Sequence, residues 1–355
     1  YMTSGPLGVQ VISVADPSRL YVTDDFIVTH NTIAMIATLM ELNRLGRARR
    51  NFLVVKRNTL NQIAGTARHL YPNANILTVD SQMLSKENRS RFLSRLATQN
   101  YDLAVMSHET FLKIGIHPDT EEAYVRERLA LLETAMNELN EADAPKFSVK
   151  QIEQTIARVE GRLNALTNRR EKGGVDDLVT IEQIAPGAVA YDEAHALKNI
   201  DVTSRTPALQ NQGSDRANIA LMMFNALKRQ NENSIKLFAS GTPVSNSFAE
   251  VFGLFRFLAP ETLHELTGSL NEFSIDEFAG LFVATEDKVE MGMQGTYQPK
   301  ERITVKGIPE LMSAMHFMDV RFAEDLGIER PHHETHTITA KPTVATISGD
   351  GFVRH

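Results

Sequence analysis

Short apolar runs separated by longer amphipathic segments dominate the first third of this sequence. The runs Phe52–Val55, Ile76–Val79 and Leu103–Met106 alternate with two segments, Leu60–Leu70 and Lys86–Thr98, whose apolar residues recur at helical spacing. A strand, helix, strand, helix order is the repeating unit of a parallel sheet covered by helices. The sequence therefore predicts an α/β fold.

The same pattern extends over most of the 355 residues, enough for one large α/β domain or two small ones. A helix is predicted from Thr32 to Leu45, and further strands at Ala188–Tyr191 and Ile235–Ala239. Residues 244–330 are predicted to be mainly helical. Residues 10–31 alternate and turn like a β-rich segment, with a last apolar strand at Phe26–Val28.

Residues 118–180 interrupt the sheet pattern with two helical runs at heptad-like spacing. Ala144-Pro145 ends the first run, and Ser148 with Gln151 forms a capping box that begins the second. The spacing predicts an antiparallel coiled-coil hairpin. Two roles remain open: an insertion that packs on the domain, or an arm that grips DNA or docks a partner. The apolar positions are Val125, Leu129, Leu132, Met136, Leu139, Val149, Ile152, Ile156, Val159, Leu163 and Leu166.

Composition excludes several classes of protein. The chain has no Cys, which excludes a disulfide scaffold, a thiolate metal site and a Cys nucleophile, and is typical of a reducing cytoplasm. No run approaches the about 18 apolar residues of a membrane span, so we expect no membrane partner. The net charge of −7 neither supports nor excludes DNA as a partner, because an acidic protein can still bind phosphates through a local basic cleft. Since the chain begins at Tyr1 and stops at His355 without an obvious domain end, we expect a fragment of a longer protein.

Two adjacent acids, Asp192 and Glu193, follow the predicted strand Ala188–Tyr191. The carboxyl ends of parallel strands are where α/β sheets bind ligands. Asp192 there could hold Mg²⁺ on the phosphates of ATP, and Glu193 could orient and deprotonate an attacking water. The alternative is a surface turn that is acidic by chance.

The stretch Ser240-Gly241-Thr242-Pro243 follows the next predicted strand at the same sheet edge. Gly241 allows a tight turn, and the hydroxyls of Ser240 and Thr242 could contact the two acids or loops that bind DNA. Taken alone, this stretch is as typical of a plain structural turn.

The order of these motifs resembles the superfamily-2 DEAH-type helicases and translocases, and within them the Swi/Snf-like group. The resemblance rests on Asp192-Glu193-Ala194-His195, then Ser240–Pro243 with Asn246, then Phe257-Leu258-Ala259-Pro260. It extends from Thr32 to about Arg330. Phe52–Val55 with Leu60 and Gln62 is similar to the family's motif Ia, and Tyr101–Glu109 is similar to its next strand and DNA-facing loop. Lys198-Asn199 and Gln212–Ala217 resemble most closely the phage and mobile-element helicases that sit beside adenine-N6 DNA methylase domains.

The resemblance implies one RecA-like P-loop NTPase lobe that uses ATP and Mg²⁺, with DNA and a second RecA-like lobe as partners, and an adenine-N6 methylase domain as a further partner. It implies that His195, Ser240 and Thr242 join Asp192 and Glu193 in catalysis. Candidates for contacts to DNA phosphates are Lys56, Arg57, Ser107 and His108.

One element of such a lobe is missing, the phosphate loop Gly-x-x-x-x-Gly-Lys-Ser/Thr, whose backbone amides and Lys cradle phosphates. The helix that should follow it begins at Thr32, but Ile27–Asn31 precede it instead of a Gly-rich turn. One interpretation is a catalytically inactive DNA- or protein-binding module with a degenerate loop.

The second interpretation is that this junction resembles the C-terminus of an intein. Asn31 would cyclise and cut its own peptide bond, His30 would assist by proton transfer, and the Thr32 hydroxyl would act as nucleophile. Many inteins carry a His where Arg19 stands, so help for His30 would come from Asp16 or Asp24. Splicing would restore Thr32 as a Mg²⁺-binding hydroxyl of the phosphate loop.

The N-terminal intein half, with the Gly-Lys of the loop, would come from a separate polypeptide in trans or from a longer precursor in cis. The predicted domains are an intein C-terminal segment at 1–31, the first part of the lobe at 32–117, the coiled-coil insertion at 118–180, the second part of the lobe at 181–340 and a truncated linker at 341–355.

Overall fold

The structure is a computed structural model. It describes residues 2–3, 10–11, 28–85, 87–141, 146–171, 179–204, 206–245, 247–268, 274–291 and 297–319. The predicted strand residues Phe26 and Ile27, the intein positions Asp16, Arg19 and Asp24, and the predicted linker at 341–355 lie outside these residues.

Helices and short strands alternate along the described chain. The strands are β1 (Met2–Thr3), β2 (Gln10–Val11), β3 (Asn51–Val55), β4 (Ile76–Val79), β5 (Leu103–Ser107), β6 (Ala188–Asp192), β7 (Asp201–Val202), β8 (Asn211–Gln212), β9 (Ile235–Ala239), β10 (Val283–Met291) and β11 (Tyr297–Val305). The helices are α1 (Val28–Arg44), α2 (Leu60–Leu70), α3 (Arg89–Thr98), α4 (His108–Ile114), α5 (Pro118–Glu141), α6 (Lys146–Glu171), α7 (Ile181–Ile184), α8 (Asp215–Gln230), α9 (Phe248–Leu258), α10 (Pro260–Thr267), α11 (Ser274–Phe282) and α12 (Ile308–Ala314).

A five-stranded parallel sheet in the order β4-β5-β3-β6-β9 forms the centre of the fold. All five residues of β3 and of β5 are buried, as expected of strands covered on both faces. The predicted α/β fold with a parallel sheet is therefore confirmed. The strands fall within a residue or two of the predicted apolar runs.

The two faces of the sheet carry different helices. On one face, α1 and α2 pack through residues such as Ile36, Leu39 and Ile63 against Leu53 and Val105. The opposite face packs against α3, α4, α8 and α9. Because side chains alternate along a strand, neighbouring residues of each central strand contribute to opposite cores.

Two local predictions were wrong. Helix α1 begins at Val28 rather than at Thr32, so Val28 is helical and not part of a strand. Val28–Asn31 contain neither Gly nor Pro, and nothing local stops the helix from extending one turn backwards. Val283–Met291 and Tyr297–Val305 form the antiparallel pair β10–β11, with Val283 opposite Val305, whereas the sequence predicts mainly helices here.

Helices α5 and α6 form the predicted hairpin with a small core of its own, in which Val125, Leu132 and Ile152 are buried. Glu121 near the start of α5 pairs with Arg162 late in α6, so the two helices run antiparallel. The hairpin is tied to the lobe at Asp201, whose carboxylate lies 2.9 Å from Arg128 and 3.7 Å from Arg158. We refer to α5 and α6 as the arm.

Within the described part of the chain, no helix is both long and apolar enough to cross a lipid bilayer.

Candidate active site

The candidate site lies where the parallel strands end. Strand β3 is followed by Lys56, β6 ends in Asp192, and β9 is followed by Ser240. These side chains meet at one edge because the carboxyl ends of parallel strands lie together. Helix α1 brings Thr32 to the same edge.

Thr32 and Asp192 are in contact although 160 positions separate them in the sequence. The Thr32 hydroxyl donates to Oδ2 of Asp192 at 3.4 Å, and Thr32 itself is buried. Burial, followed by the negative charge of Glu193, raises the pKa of Asp192 to about 6. A carboxylate held here without a cation is therefore destabilised.

Glu193 has a strained backbone and three polar neighbours. Its φ of +54° lies in the left-handed region, which few residues with a Cβ adopt and which two other non-glycine residues among those described share. Its amide donates to Oδ1 of Asp192 at 3.0 Å. Its carboxylate lies 3.4 Å from Nζ of Lys56 and 3.1 Å from Nδ1 of His195. This turn directs the Glu193 side chain into the site.

His195 connects the acids to the loop after β9. Its Nδ1 lies 3.4 Å from Oγ of Ser240, and the amide of Thr242 donates to the same Oγ at 3.2 Å. Thr242 is exposed, and its backbone amide is linked to the acids through Ser240 and His195. The structure brings Asp192, Glu193, His195 and Ser240 together.

A second link between the two motifs was not predicted. Nζ of Lys198 lies 3.3 Å from Oε1 of Glu250 and also donates to the hydroxyl of Ser245, and Oε2 of Glu250 accepts from the Ser245 amide at 2.6 Å. Glu250 is 2% exposed, although it lies in a helix of mostly apolar residues. An acid inside an apolar helical run was the sequence signal that could have revealed this pair.

Ser107 and His108 do not lie where a contact to DNA requires them. Both are buried, and Ser107 caps α4 by accepting from the Thr110 amide. Nε2–H of His108 donates to the Asp192 carbonyl at 2.9 Å, and its ring stacks on Tyr191 at 4.4 Å between centroids. Burial lowers the pKa of His108, which favours the neutral ring. In this conformation the two residues support the strand ends rather than face solvent.

The sequence profile of one family, described as a probable helicase domain, matches residues 20–322. The match covers well over half of the chain. The chain belongs to this family of probable helicase domains.

One solved structure with a detectable likeness to this helicase domain is a crystal structure of a hypothetical ATP-dependent RNA helicase from Sulfolobus tokodaii. The two sequences are 13% identical, and the TM-score is 0.30. The match covers 66% of this chain and 46% of that chain.

Membership of a helicase family supports, at the level of the family, a site that binds ATP. The residues at the strand ends fit a magnesium–nucleotide complex, because Mg²⁺ prefers oxygen ligands and usually takes one or two carboxylates together with phosphates. Asp192 and Thr32 offer a carboxylate and a hydroxyl in contact, and the raised pKa of Asp192 indicates a buried acid that a cation would stabilise.

The remaining predicted residues have different surroundings. Lys56 and Arg57 are exposed after β3, with Lys56 beside Glu193. His30 and Asn31 lie in the first turn of α1, one and two residues before Thr32, but their side chains lie outside the described part of the helicase domain.

Proposed function

We propose that this helicase domain is the first RecA-like motor lobe of a superfamily-2, DEAH-type DNA translocase of the Swi/Snf-like group. We further propose that protein splicing between Asn31 and Thr32 completes its phosphate loop. The contact between Thr32 and Asp192 carries the proposal, because these are the hydroxyl and the carboxylate that would share one Mg²⁺.

In the proposed motor, Mg²⁺ bound to ATP neutralises charge on the phosphates. Thr32 and Asp192 would hold the ion, and Glu193 would orient the attacking water and accept its proton. Nδ1 of His195 lies within 3.1 Å of the Glu193 carboxylate and within 3.4 Å of the Ser240 hydroxyl. Movement at the Ser240–Pro243 loop would in this way reach the hydrolytic acid.

The proposed splicing step uses the three residues at the start of α1. The Thr32 hydroxyl would attack the thioester or ester that links the Gly-Lys segment to the Cys or Ser nucleophile of the N-terminal intein half. It would take over the acyl group as an ester and release that thiol or hydroxyl. The side-chain amide nitrogen of Asn31 would then attack its own carbonyl carbon, releasing the Thr32 amine and leaving a succinimide. His30 would protonate the leaving amine, and the acyl group would shift from oxygen to that nitrogen to form the new peptide bond.

An inactive DNA- or protein-binding module with a degenerate phosphate loop is less well supported. Loss of activity would remove the need for Glu193 in a strained conformation beside His195, yet both the strain and the contact are present. A hydrolytic role accounts for them directly.

The partners follow from the same proposal. Lys56 and Arg57, exposed beside the candidate site, would contact DNA phosphates without reading sequence. A second RecA-like lobe would supply the arginine finger. An adenine-N6 methylase domain remains a proposed partner in a bacterial or phage-infected cytoplasm.

Splicing is tested by mixing the chain with a polypeptide that carries the matching N-terminal intein half and the Gly-Lys of the phosphate loop. We expect a ligated product whose mass and tandem spectrum place Lys directly before Thr32. Asn31→Ala should abolish ligation, while Glu41→Ala, an exposed change in the same helix, should not. Absence of ligated product in trans and from a longer precursor, with Asn31→Ala indistinguishable from the unmodified chain, would refute the splicing proposal.

A further inference from the structure

The two carboxylate oxygens of Glu193 lie beside different side chains. Nδ1 of His195 lies 3.1 Å from Oε2, and Nζ of Lys56 lies 3.4 Å from Oε1. His195 belongs to the same motif as Glu193, whereas Lys56 follows strand β3 in a distant part of the sequence. A water that Glu193 orients therefore competes with these two neighbours for the same carboxylate oxygens.

Lys56 is a weakly held neighbour of Glu193. Its side chain is 46% exposed and that of Glu193 is 24% exposed, and ion pairs that remain partly hydrated contribute little to stability. The main chain of Lys56 is fixed, because its carbonyl accepts from the amide and from the hydroxyl of Thr59, at 3.1 and 3.0 Å. The flexible four-carbon side chain can therefore carry its ammonium away from Glu193 while the backbone stays in place.

The same ammonium is accessible to solvent where the proposed motor would meet DNA. Lys56 and the exposed Arg57 lie side by side at the carboxyl end of β3. A lysine ammonium is a compact cation with three donors and no acceptor, so a carboxylate and a phosphate compete for it. Among the residues that the structure describes, Glu193 is the one carboxylate paired with Lys56. A phosphate that binds Lys56 therefore acts first on Glu193.

We propose that Lys56 is a positioning residue that links DNA to the carboxylate of Glu193. In the absence of DNA, its ammonium holds Oε1 of Glu193. When a DNA phosphate binds the ammonium, Oε1 becomes free to orient the attacking water. This link rests on the proposed function and is separate from the one through the Ser240–Pro243 loop. It is also reciprocal, because loss of the negative charge of Glu193 leaves Lys56 free for DNA.

The reciprocal effect is measured without splicing and without ATP. The affinity of the full chain for a duplex oligonucleotide is determined by fluorescence anisotropy for four proteins: the unmodified chain, Glu193→Gln, Lys56→Met and the double variant. Glu193→Gln keeps the shape of the side chain and removes the charge that competes for Lys56. The matched control is Glu109→Gln, alone and together with Lys56→Met. Glu109 is an exposed acid at the same sheet edge, beside His108 and Arg216.

We expect Glu193→Gln to bind DNA about two- to fivefold more tightly, the range that corresponds to a partly exposed ion pair. In the presence of Lys56→Met, the same change should gain no more than Glu109→Gln does, because no ammonium remains to be released. Glu109→Gln acts only through long-range charge, so its effect should be the same with and without Lys56→Met. Lys56→Arg should preserve the gain from Glu193→Gln, because it retains the charge.

An equal gain from Glu193→Gln with and without Lys56→Met overturns the inference, because the carboxylate would then act on DNA independently of Lys56. No gain in either background overturns it as well. In both cases measurable binding to DNA still supports the proposed function, so the inference fails alone. If neither the unmodified chain nor any variant binds DNA, the proposed function loses its partner, and the inference falls with it.

The rate of ATP hydrolysis by the ligated product gives a second measurement. Lys56→Met should raise the rate without DNA about two- to fivefold and should lower the factor of stimulation by DNA accordingly. Lys113→Met, an exposed change in α4, should alter neither quantity. A DNA-free rate that Lys56→Met leaves unchanged or lowers overturns the inference. Absence of all hydrolysis contradicts the proposed function instead, and the affinity cycle then still decides whether Lys56 divides its charge between Glu193 and DNA.

Discussion

Nζ of Lys198 lies 3.3 Å from Oε1 of Glu250, and the two side chains are 14% and 3% exposed. Lys198 follows the motif that contains Asp192 and Glu193, whereas Glu250 lies in the first turn of α9, the helix after the Ser240–Pro243 loop. This largely buried ion pair therefore connects the segment after Asp192 and Glu193 to the segment after the Ser240–Pro243 loop.

Lys198→Met should lower the free energy of unfolding by about 3 kcal/mol, because it leaves the buried Glu250 carboxylate without its cation. Glu250→Gln should cost less, since the amide oxygen still accepts from Ser245 and Lys198 keeps some exposure to solvent. In a double-mutant cycle followed by urea unfolding, the double variant should lose less stability than the sum of the two single changes. Strictly additive losses would show that the two residues do not interact.

The pH dependence of stability provides a separate test at Lys236. Burial, together with the charge of Lys228, lowers the pKa of Lys236 to about 8 from 10.5. Below pH 8 Lys236 is protonated in both the folded and the unfolded chain, so burial of its charge lowers the free energy of unfolding by its full amount. Between pH 8 and 10.5 the unfolded chain binds more protons, so this residue makes the free energy of unfolding rise with pH.

Lys236→Met should therefore be more stable than the unmodified chain at pH 7, and its advantage should shrink as the pH rises towards 10. The difference between the free energies of unfolding of Lys236→Met and of the unmodified chain should change by at most about 1.4 kcal/mol per pH unit, the limit for one proton. Arg256→Met in the nearby helix α9 serves as the control. A difference curve for Lys236→Met that stays flat from pH 7 to 10 contradicts the assigned environment.

The sequence predicted the strands that carry the site because each is a short apolar run ended by polar residues. Ala188–Asp192 and Ile235–Ala239 lie within a residue of the predicted positions. The order of the strands could not be predicted from these patterns, because the pairing of β3 with β6 joins segments far apart in the chain. No strand register could be predicted for β10 and β11, because polar residues obscure the alternation of apolar residues there.

For the candidate site, local motifs identified Asp192, Glu193 and Ser240, but not how they are held. The position of His108 after a strand at the ligand-binding edge predicts a DNA contact, but sequence position alone does not distinguish an outward ring from one stacked on Tyr191. Likewise, the pairing of Lys198 with Glu250 depends on tertiary packing across 52 positions, the difference between 250 and 198.

Binding to duplex DNA should depend on Arg57 and not on Ser107. If Arg57 contacts one phosphate, Arg57→Ala should reduce the slope of log affinity against log salt concentration by about 0.9. Ser107→Ala should leave the slope unchanged, because Ser107 is buried and caps α4. Titrations by fluorescence anisotropy at several salt concentrations measure both slopes, and an effect of Ser107→Ala equal to that of Arg57→Ala would contradict the exposed basic contact.

The central claim concerns hydrolysis of ATP at the completed site. The most direct measurement is the rate of DNA-stimulated ATP hydrolysis by the ligated product that carries both lobes, with and without Glu193→Gln. Removing the group that accepts the proton of water should lower the rate by about 100-fold or more, while Glu127→Gln on the exposed surface of the arm should leave it unchanged. A ligated product without DNA-stimulated hydrolysis, or one whose rate Glu193→Gln does not change, would contradict the assignment of this site to a motor.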